Sequence, residues 1–178
     1  TPFTKPDQLL PVPVVLKLAA EVAEALAYAH GQHVVHRDIK PANIMFEPES
    51  GQVKVTDFGV ARITDASRTK TGMVLGTPSY MSPEQLSGKK VDGRSDLFSL
   101  GVTVFQLLTG RLPFVGESMA ELMFRIANEP HPDILAIRAE LPHGIRTVLD
   151  RAMAKQPESR FQSGVDCAEA LRRCLAAA

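Results

Sequence analysis

The chain has 178 residues, of which 44% are hydrophobic, and this length and composition suit one globular domain with its own core. The formal net charge is zero at pH 7. Nucleic acids and anionic membranes favour a basic protein face, so we expect neither as a partner.

The first 13 residues contain four prolines and little periodicity, which predicts a linker or the frayed end of a larger structure. From Val14 onward the apolar residues follow the three-and-four spacing of an amphipathic helix, and Gly31 stands where that helix should end. This helix leads into a polar loop. The positions on its apolar face are Val15, Leu18, Val22, Ala25, Leu26 and Ala29.

The polar loop at residues 36–43 places a carboxylate, an ammonium and a carboxamide close together, at Asp38, Lys40 and Asn43. Phosphoryl transfer needs such a set, because the acceptor hydroxyl requires an oriented proton acceptor, the phosphate requires a cation and Mg²⁺ requires oxygen ligands. The same residues would also suit a surface loop in which Asp and Asn only stabilise turns. The loop by itself leaves both interpretations open.

Two short strand patterns after the loop predict a β-hairpin at residues 44–46 and 53–55, because the stretch between them carries Pro, Ser and Gly. An antiparallel pair returns the chain to its starting end with strands about 5 Å apart, so Asn43 and Asp57 should lie side by side. Two oxygen ligands at that point can share a metal ion and a phosphate. The hairpin therefore favours the phosphoryl-transfer interpretation.

Beyond residue 84 the pattern is almost wholly helical. An apolar run at residues 97–108, capped by Asp92 or Ser95 and followed by Gly110, predicts a central buried helix that is too short to span a bilayer. Further helices are predicted near residues 118–128, 145–154 and 163–175.

Several ordered motifs resemble the catalytic half of the eukaryotic-type, or Hanks-type, Ser/Thr protein kinases, and in detail their bacterial members. Residues 36–43 match the catalytic loop of that family, residues 57–59 its metal-binding Asp-Phe-Gly, and residues 82–84 its Ala-Pro-Glu motif with Ser in the first place. Residues 92–101 are similar to the buried helix that follows. The resemblance covers nearly the whole chain.

The resemblance implies a role for each polar residue of the loop. Asp38 orients the hydroxyl of a Ser or Thr in a protein substrate and accepts its proton, while Lys40 neutralises charge on the γ-phosphate of ATP. Asn43 and Asp57 are the Mg²⁺ ligands, and together with Lys40 they bind the nucleotide. Met45 forms the floor beneath adenine.

Positions outside the loop also follow from the resemblance. Thr77 shapes the substrate site beside the catalytic carboxylate. Residues 57–84 correspond to the activation segment, in which Thr69 and Thr71 are the phosphorylation candidates and Arg37 is the expected clamp for the phosphate. The structural positions are His36 stacked on Phe58, Gly59, Glu84 paired with Arg160, and Asp96, which holds the backbone of the catalytic loop.

The resemblance implies a mainly α fold with a small β-hairpin at the catalytic loop, namely the C-terminal lobe of a protein kinase over residues 14–178. No Gly-rich loop and no Val-Ala-Ile-Lys-type lysine precede the catalytic loop, so we expect the small N-terminal lobe to be absent. Because that lobe clamps the phosphates, we expect little or no activity from this chain alone. The surface that would face the missing lobe should be apolar and prone to self-association.

The two cysteines, Cys167 and Cys174, lack the spacing of a metal site. Seven residues apart on one predicted helix, they are about 10 Å apart along its axis and cannot bridge each other. No signal peptide is visible. We therefore expect a reducing, cytoplasmic location, with any membrane anchor of the full-length protein lying outside this segment.

Two other functions compete with an active protein kinase. A pseudokinase-type docking scaffold would keep the fold without catalysis, but such scaffolds often lose one of the four site residues Asp38, Lys40, Asn43 and Asp57, which are all present. A small-molecule phosphotransferase of the aminoglycoside or choline type shares a loop with Asp and Asn. The motif at residues 82–84, the long hydroxyl-rich segment before it and Lys40 favour a protein substrate.

Overall fold

The computed structural model describes residues 3–58 and 78–178. These residues form a mainly helical body with a two-stranded antiparallel sheet, as the sequence predicts. In chain order the elements are α1 (Val12–Gly31), β1 (Ile44–Glu47), β2 (Gln52–Val55), α2 (Pro83–Leu86), α3 (Gly93–Thr109), α4 (Met119–Asn128), α5 (Ile134–Ile137), α6 (Gly144–Ala152) and α7 (Gly164–Ala176). Short 3-10 turns lie at Pro41–Asn43, Pro78–Tyr80 and Pro157–Ser159.

Helix α1 begins at Val12, two residues earlier than predicted, so the last two residues of the expected linker are helical. Pro13 is compatible with this start, because a proline in the first turn has no N–H that the helix would need. Gly31 is the last helical residue, and Gln32 takes the capping position with its N–H bonded to carbonyls of the last turn. The predicted end of the helix is therefore correct to within one residue.

The segment before α1 lies against the end of α3 instead of fraying away from the domain. Gly110 ends α3 in the left-handed region at φ 71°, where glycine is favoured. A Cβ atom at this position would lie 2.4 Å from the backbone nitrogen of Pro6 and 2.7 Å from the carbonyl carbon of Lys5. The close approach of the two backbones therefore requires glycine at position 110.

Helix α3 is the central buried helix that the sequence predicts. Asp92 caps its N terminus by accepting a hydrogen bond from the Arg94 N–H, and the apolar run is buried along its length. Helices α1 and α6 pack against α3, and α7 packs along α1. No helix in residues 3–58 and 78–178 has the length and apolar character needed to cross a bilayer.

Glycine also sets the closest approach between α1 and α7. A Cβ atom at Gly164 would lie 2.2 Å from the carbonyl oxygen of Ala23, so the first turn of α7 sits directly on the backbone of α1. Cys167 and Cys174 are buried free thiols on α7, which confirms that they do not bridge each other. Burial raises the pKa of both thiols, that of Cys167 to about 12.

The outer helices largely follow their predicted capping residues. Ser118 caps α4 and Ser163 caps α7, each accepting a hydrogen bond from the N–H three residues on. Helix α6 covers Gly144–Ala152, close to the predicted 145–154. The single-turn helix α5, capped by Asp133, was not predicted, since four residues are too few to establish a period.

The β-hairpin is antiparallel, as predicted, and its register places Ile44 opposite Val55. Below the last ladder pair the Thr56 N–H donates to the carbonyl oxygen of Asn43 at 2.8 Å. The residue after Thr56 is Asp57. The hairpin thus returns the chain to the polar loop from which it started, and this places both proposed metal ligands at one end of the sheet.

Candidate active site

The polar loop between α1 and β1 is attached to the helical body by one buried carboxylate. Asp96, in the first turn of α3, accepts a hydrogen bond from the His36 N–H at 2.9 Å and another from the Arg37 N–H at 2.8 Å. Asp96 is only 1% exposed, so these bonds are shielded from competing water. The contact assigned to Asp96 in the sequence analysis is present in the structure.

His30 is a further partner of this carboxylate that the sequence analysis missed. Its Nε2 lies 2.8 Å from Oδ2 of Asp96, the oxygen that also accepts the His36 N–H. A Cβ atom at Gly93 would lie 2.5 Å from the His30 ring, so the glycine makes room for the imidazole. His30 and Asp96 are 66 residues apart, and no local pattern announces a contact over that distance.

The three polar side chains of the loop meet around Asp38. The amide nitrogen of Asn43 donates to Oδ2 of Asp38 at 3.0 Å and to the backbone oxygen of Asp38 at 2.8 Å. The Lys40 Nζ lies 3.6 Å from the same Oδ2. The side chain of Asp38 remains 39% exposed, so one carboxylate is oriented by its neighbours and still open to a substrate.

His36 supports this arrangement from beneath the loop. Its Nδ1 accepts the Asp38 N–H at 3.1 Å and its Nε2 lies 2.6 Å from the carbonyl oxygen of Thr56, so the ring proton belongs on Nε2. The imidazole contacts the Phe58 ring edge-on, with the centroids 4.5 Å apart. His36 thereby connects the polar loop to the end of the hairpin.

Asp57 adopts φ 64°, a left-handed conformation that is uncommon for a residue other than glycine, though less so for Asp. Its side chain is exposed, and the bond between Thr56 and Asn43 holds it at the same end of the hairpin as Asn43. Both hydrogens of the Asn43 amide point to Asp38, which leaves the amide oxygen of Asn43 available as a ligand.

The donor set of this site fits Mg²⁺. A carboxylate and an amide oxygen are hard ligands, and Mg²⁺ in nucleotide sites is held by one or two protein groups together with phosphates and water. Within the part of the chain that the structure describes, no three His, Cys, Asp or Glu side chains form a cluster that would bind a metal ion without such additional ligands. Asn43 and Asp57 are thus residues of a kind that could contribute ligands to Mg²⁺.

Met45 is 61% exposed on β1, which agrees with a position that a ligand can cover. Beside it lies an apolar cavity of about 380 Å³, lined in part by Leu10, Leu18 and Leu107. The neighbouring strand residues Ile44 and Phe46 are half-buried and line the same cavity. Met45 is the exposed residue between them.

A second buried cluster connects the motif at residues 82–84 to the far end of the domain. The guanidinium of Arg160 donates to both oxygens of Glu84, at 2.5 and 2.9 Å, and the Ser95 hydroxyl donates to Glu84 at 2.5 Å. The other N–H groups of Arg160 bond to the carbonyl oxygens of Arg94, Ala154 and Lys155. This is the pair that the sequence analysis proposes, with every donor of Arg160 satisfied.

Next to Glu84, the side chain of Gln85 reaches the loop itself. Its Nε2 donates to the carbonyl oxygen of Arg37 at 3.0 Å, across 48 residues of sequence. Its Oε1 accepts the Ser82 N–H at 3.0 Å, which completes a capping box at the start of α2. No contact of Gln85 with the loop is predicted from the sequence, although its spacing from Ser82 is a capping-box signal.

Four of the proposed site residues lie outside the described residues, namely Gly59, Thr69, Thr71 and Thr77. The backbone of Arg37 is described, at φ 70°. The proposed function of the Arg37 side chain, which is to bind a phosphate of the activation segment, stays a prediction.

The comparison with known families identifies the fold that carries this site. A model of the protein kinase domain matches residues 4–173. The chain belongs to the protein kinase family. The resemblance to protein kinases that the sequence motifs indicate is thereby confirmed.

Similar curated proteins include bacterial Ser/Thr kinases. The chain is 42% identical over 167 residues to the serine/threonine-protein kinase Pkn1 of Myxococcus xanthus, and the alignment covers 91% of this chain and 24% of the relative. It is 44% identical over 170 residues to PksC of Streptomyces coelicolor, covering 93% of this chain and 30% of the relative. It is 38% identical over 157 residues to PknA of Mycobacterium tuberculosis, covering 88% of this chain and 36% of the relative.

Solved kinase domains share the fold. The crystal structure of the Mycobacterium tuberculosis PknI kinase domain with the C20A mutation is 33% identical and superimposes with a TM-score of 0.71, covering 94% of this chain and 56% of that domain. A C20A and R136A double mutant gives a TM-score of 0.73 at 30% identity. The chain thus spans about a quarter to just over a third of these curated relatives and just over half of the solved domain.

Proposed function

We propose that the chain is the C-terminal lobe, residues 14–178, of a protein kinase that transfers the γ-phosphate of ATP to Ser or Thr hydroxyls of proteins. The observation that carries this proposal is the convergence of Asn43 and Lys40 on the open carboxylate of Asp38. The attachment of the loop to Asp96 supports it, because phosphoryl transfer depends mainly on positioning and electrostatics.

In the proposed reaction Asp38 accepts a hydrogen bond from the substrate hydroxyl and aligns its oxygen with the γ-phosphorus. A carboxylate is too weak a base to ionise an alcohol beforehand, so Asp38 accepts the proton late, as the new P–O bond forms and the bond from the γ-phosphorus to the leaving ADP oxygen breaks. Lys40 places its ammonium beside the same carboxylate and balances negative charge on the transferring group. On the family resemblance, we also propose a role for Thr77 in binding the substrate.

Asn43 and Asp57 would hold Mg²⁺ through their side-chain oxygens. Held there, Mg²⁺ would offset the negative charge of the phosphates. The two hydrogen bonds from the Asn43 amide to Asp38 keep its oxygen turned away from that residue, toward the side where a ligand would bind. Met45 supports the adenine ring from below.

The substrate class rests on two observations. A lysine two residues after the catalytic Asp is the pattern of Ser/Thr kinases, and the curated relatives carry that name. Among the hydroxyls of the activation segment we propose Thr69 and Thr71 as phosphorylation sites, with Arg37 as the clamp. We also propose a cytoplasmic location, where ATP is available.

The 178 residues by themselves should transfer phosphate slowly or not at all. Their sequence contains neither a Gly-rich loop nor a Val-Ala-Ile-Lys-type lysine ahead of residue 36, and these groups hold the α- and β-phosphates in the family. Without the groups that hold the α- and β-phosphates, the γ-phosphate is not held in line with the substrate hydroxyl near Asp38.

The test is transfer of labelled phosphate from Mg-ATP by the full product of the gene and, in parallel, by the 178-residue chain. The acceptors are a generic Ser/Thr protein, an aminoglycoside and choline. We expect the full product to label the protein, on Ser or Thr, and the 178-residue chain to be at least about a hundredfold slower. Labelling of a small molecule alone would contradict the proposed substrate class, and no labelling by either chain would favour a docking scaffold.

A further inference from the structure

We propose that Gln85 is a positioning residue for Asp38, because it fixes the carbonyl group of the Arg37–Asp38 peptide. The inference rests on the proposed function, in that it concerns the residue expected to accept the substrate proton. Gln85 itself touches neither substrate nor nucleotide in this account. It acts through the backbone of Arg37, whose carbonyl oxygen accepts a hydrogen bond from Nε2 of Gln85 at 3.0 Å.

The backbone at Arg37 needs such support. Arg37 adopts φ 70°, a left-handed conformation that costs free energy for a side chain of this size and persists only where the surroundings hold it. Its N–H is held by Asp96 at 2.8 Å and its C=O by Gln85. The next N–H, that of Asp38, donates to Nδ1 of His36 at 3.1 Å. Three hydrogen bonds therefore set the direction in which the chain enters Asp38.

The side chain of Gln85 can take only one orientation in this site. Its Oε1 accepts from both the N–H and the hydroxyl of Ser82, at 3.0 and 3.2 Å, so its Nε2 must face Arg37. Gln85 is 8% exposed, and hence water does not readily replace either contact. The position requires an acceptor toward Ser82 and a donor toward Arg37, and an amide supplies both.

The residue that precedes Gln85 anchors it to the rigid part of the domain. Glu84 is bonded to both the buried Arg160 and Ser95 of α3. Helix α2 is therefore fixed to the helical body on one side and to the catalytic loop on the other. Since α2 begins within the last two residues of the activation segment, Gln85 links the end of that segment to the backbone before Asp38.

Two substitutions at Gln85 distinguish its role as a hydrogen-bond donor to Arg37 from its role as an acceptor in the cap of α2. Gln85→Glu keeps an oxygen for the Ser82 N–H but removes the donor to Arg37, and Gln85→Met removes both without adding charge. Ser163→Ala is the control, because it removes a capping side chain from the remote helix α7 and leaves residues 82–85 unchanged. All three are made in the full product of the gene, with melting temperatures measured alongside.

Kinetics give the first measurement. We expect both Gln85 variants to lower kcat about tenfold with little change in the KM values for ATP and protein substrate, while Ser163→Ala leaves kcat unchanged. For Gln85→Glu the rate relative to wild type should rise as the pH is lowered, because the protonated carboxyl group regains an O–H that can donate to Arg37. For Gln85→Met that ratio should stay flat. Unchanged kcat in both variants, or a fall that Ser163→Ala matches, would overturn the inference.

Hydrogen exchange tests the same claim without activity. In both Gln85 variants the amides of residues 36–38 should exchange several-fold faster than in wild type, and in Ser163→Ala they should not. Equal exchange in all four proteins would refute the positioning role, even if no variant or wild-type protein transferred phosphate. Failure of wild type and Asp38→Asn alike to transfer phosphate would instead refute the proposed function.

Discussion

Glu84 and Arg160 exchange charge-assisted hydrogen bonds in a site where both side chains are almost fully buried. Burial alone would raise the pKa of Glu84, but the hydrogen bonds from Arg160 and Ser95 outweigh it and hold the pKa below its ordinary value. The carboxylate therefore contributes stability above about pH 4.5, its ordinary range, and this contribution is lost as the pH falls through the lowered pKa.

Replacing Arg160 by Met should be severe, because it leaves the Glu84 carboxylate buried and unpaired. We expect a loss of about 3–5 kcal/mol in the free energy of unfolding, measured by urea denaturation at pH 7. The control is Arg172→Met, whose ion pair with Glu24 is exposed on both sides and should contribute about 0–1 kcal/mol. Similar losses in the two variants would contradict the structural role given to Arg160.

Lys155 gives the protein a second pH dependence, of the same sign but in the alkaline range. Burial, with a further contribution from Arg160, lowers the pKa of Lys155 to about 8 from an ordinary value of 10.5. Its Nζ donates to the Ile126 carbonyl at 2.7 Å and lies 4.2 Å from the centre of the Phe114 ring. Between these two pH values the unfolded chain binds more protons than the folded one, so raising the pH favours the folded state.

We therefore expect the free energy of unfolding to rise from pH 8 toward pH 10 more in wild type than in Lys155→Met. Other titrating groups, such as Cys167 and Tyr80, are common to both proteins and cancel in the difference. Lys90→Met, at an exposed position, should behave as wild type. Parallel pH profiles for wild type and Lys155→Met in urea denaturation would show the prediction to be wrong.

At the scale of elements, the junction between the N-terminal segment and the end of α3 can be tested with two glycines. Gly110 and Gly88 have nearly the same φ, 71° and 69°, but a Cβ at Gly110 would meet Pro6 whereas one at Gly88 would meet nothing within 4 Å. Both alanine variants suffer the same backbone strain, and only Gly110→Ala also displaces the segment. We expect it to lose about 1–3 kcal/mol more than Gly88→Ala in urea denaturation. Equal losses would mean that residues 3–11 do not hold this position in solution.

Most elements could be predicted because their signals are local. The amphipathic spacing of α1, the cap at Asp92 and the two strand patterns each fall within a few residues, and each led to an element within two residues of its observed position. The hairpin alone was enough to bring Asn43 and Asp57 to one end of the sheet. The short helix α5 has too few residues for such a signal.

Contacts between distant segments could not be predicted from such patterns. The contact between His30 and Asp96 joins residues 66 positions apart, and the contact between Gln85 and Arg37 joins residues 48 positions apart. Nothing in the local sequence of either pair specifies the partner. The pairing of Glu84 with Arg160 was found only because a family resemblance supplied it. The network of carbonyl groups around Arg160 depends on how three separate segments pack, which no single segment encodes.

At the scale of the whole molecule, the apolar surface around Met45 should make the isolated 178-residue chain self-associate. Exposed patches of this kind are uncommon on stable monomers, and Met45 lies beside an apolar cavity. Light scattering at rising concentration should detect dimers, and Met45→Glu should shift them toward monomer. Met119→Glu, at a similarly exposed methionine on α4, is the control and should have no effect. A monomer at all concentrations would contradict this prediction.

The central claim is that Asp38 accepts the proton of a Ser or Thr hydroxyl during phosphate transfer. It is tested most directly by the initial rate of labelled phosphate transfer from Mg-ATP to a protein, comparing the full gene product with its Asp38→Asn variant. We predict a loss of at least about a hundredfold, since an amide cannot accept the proton, with no large change in melting temperature. A variant that folds as wild type does and transfers phosphate at a similar rate would contradict the account.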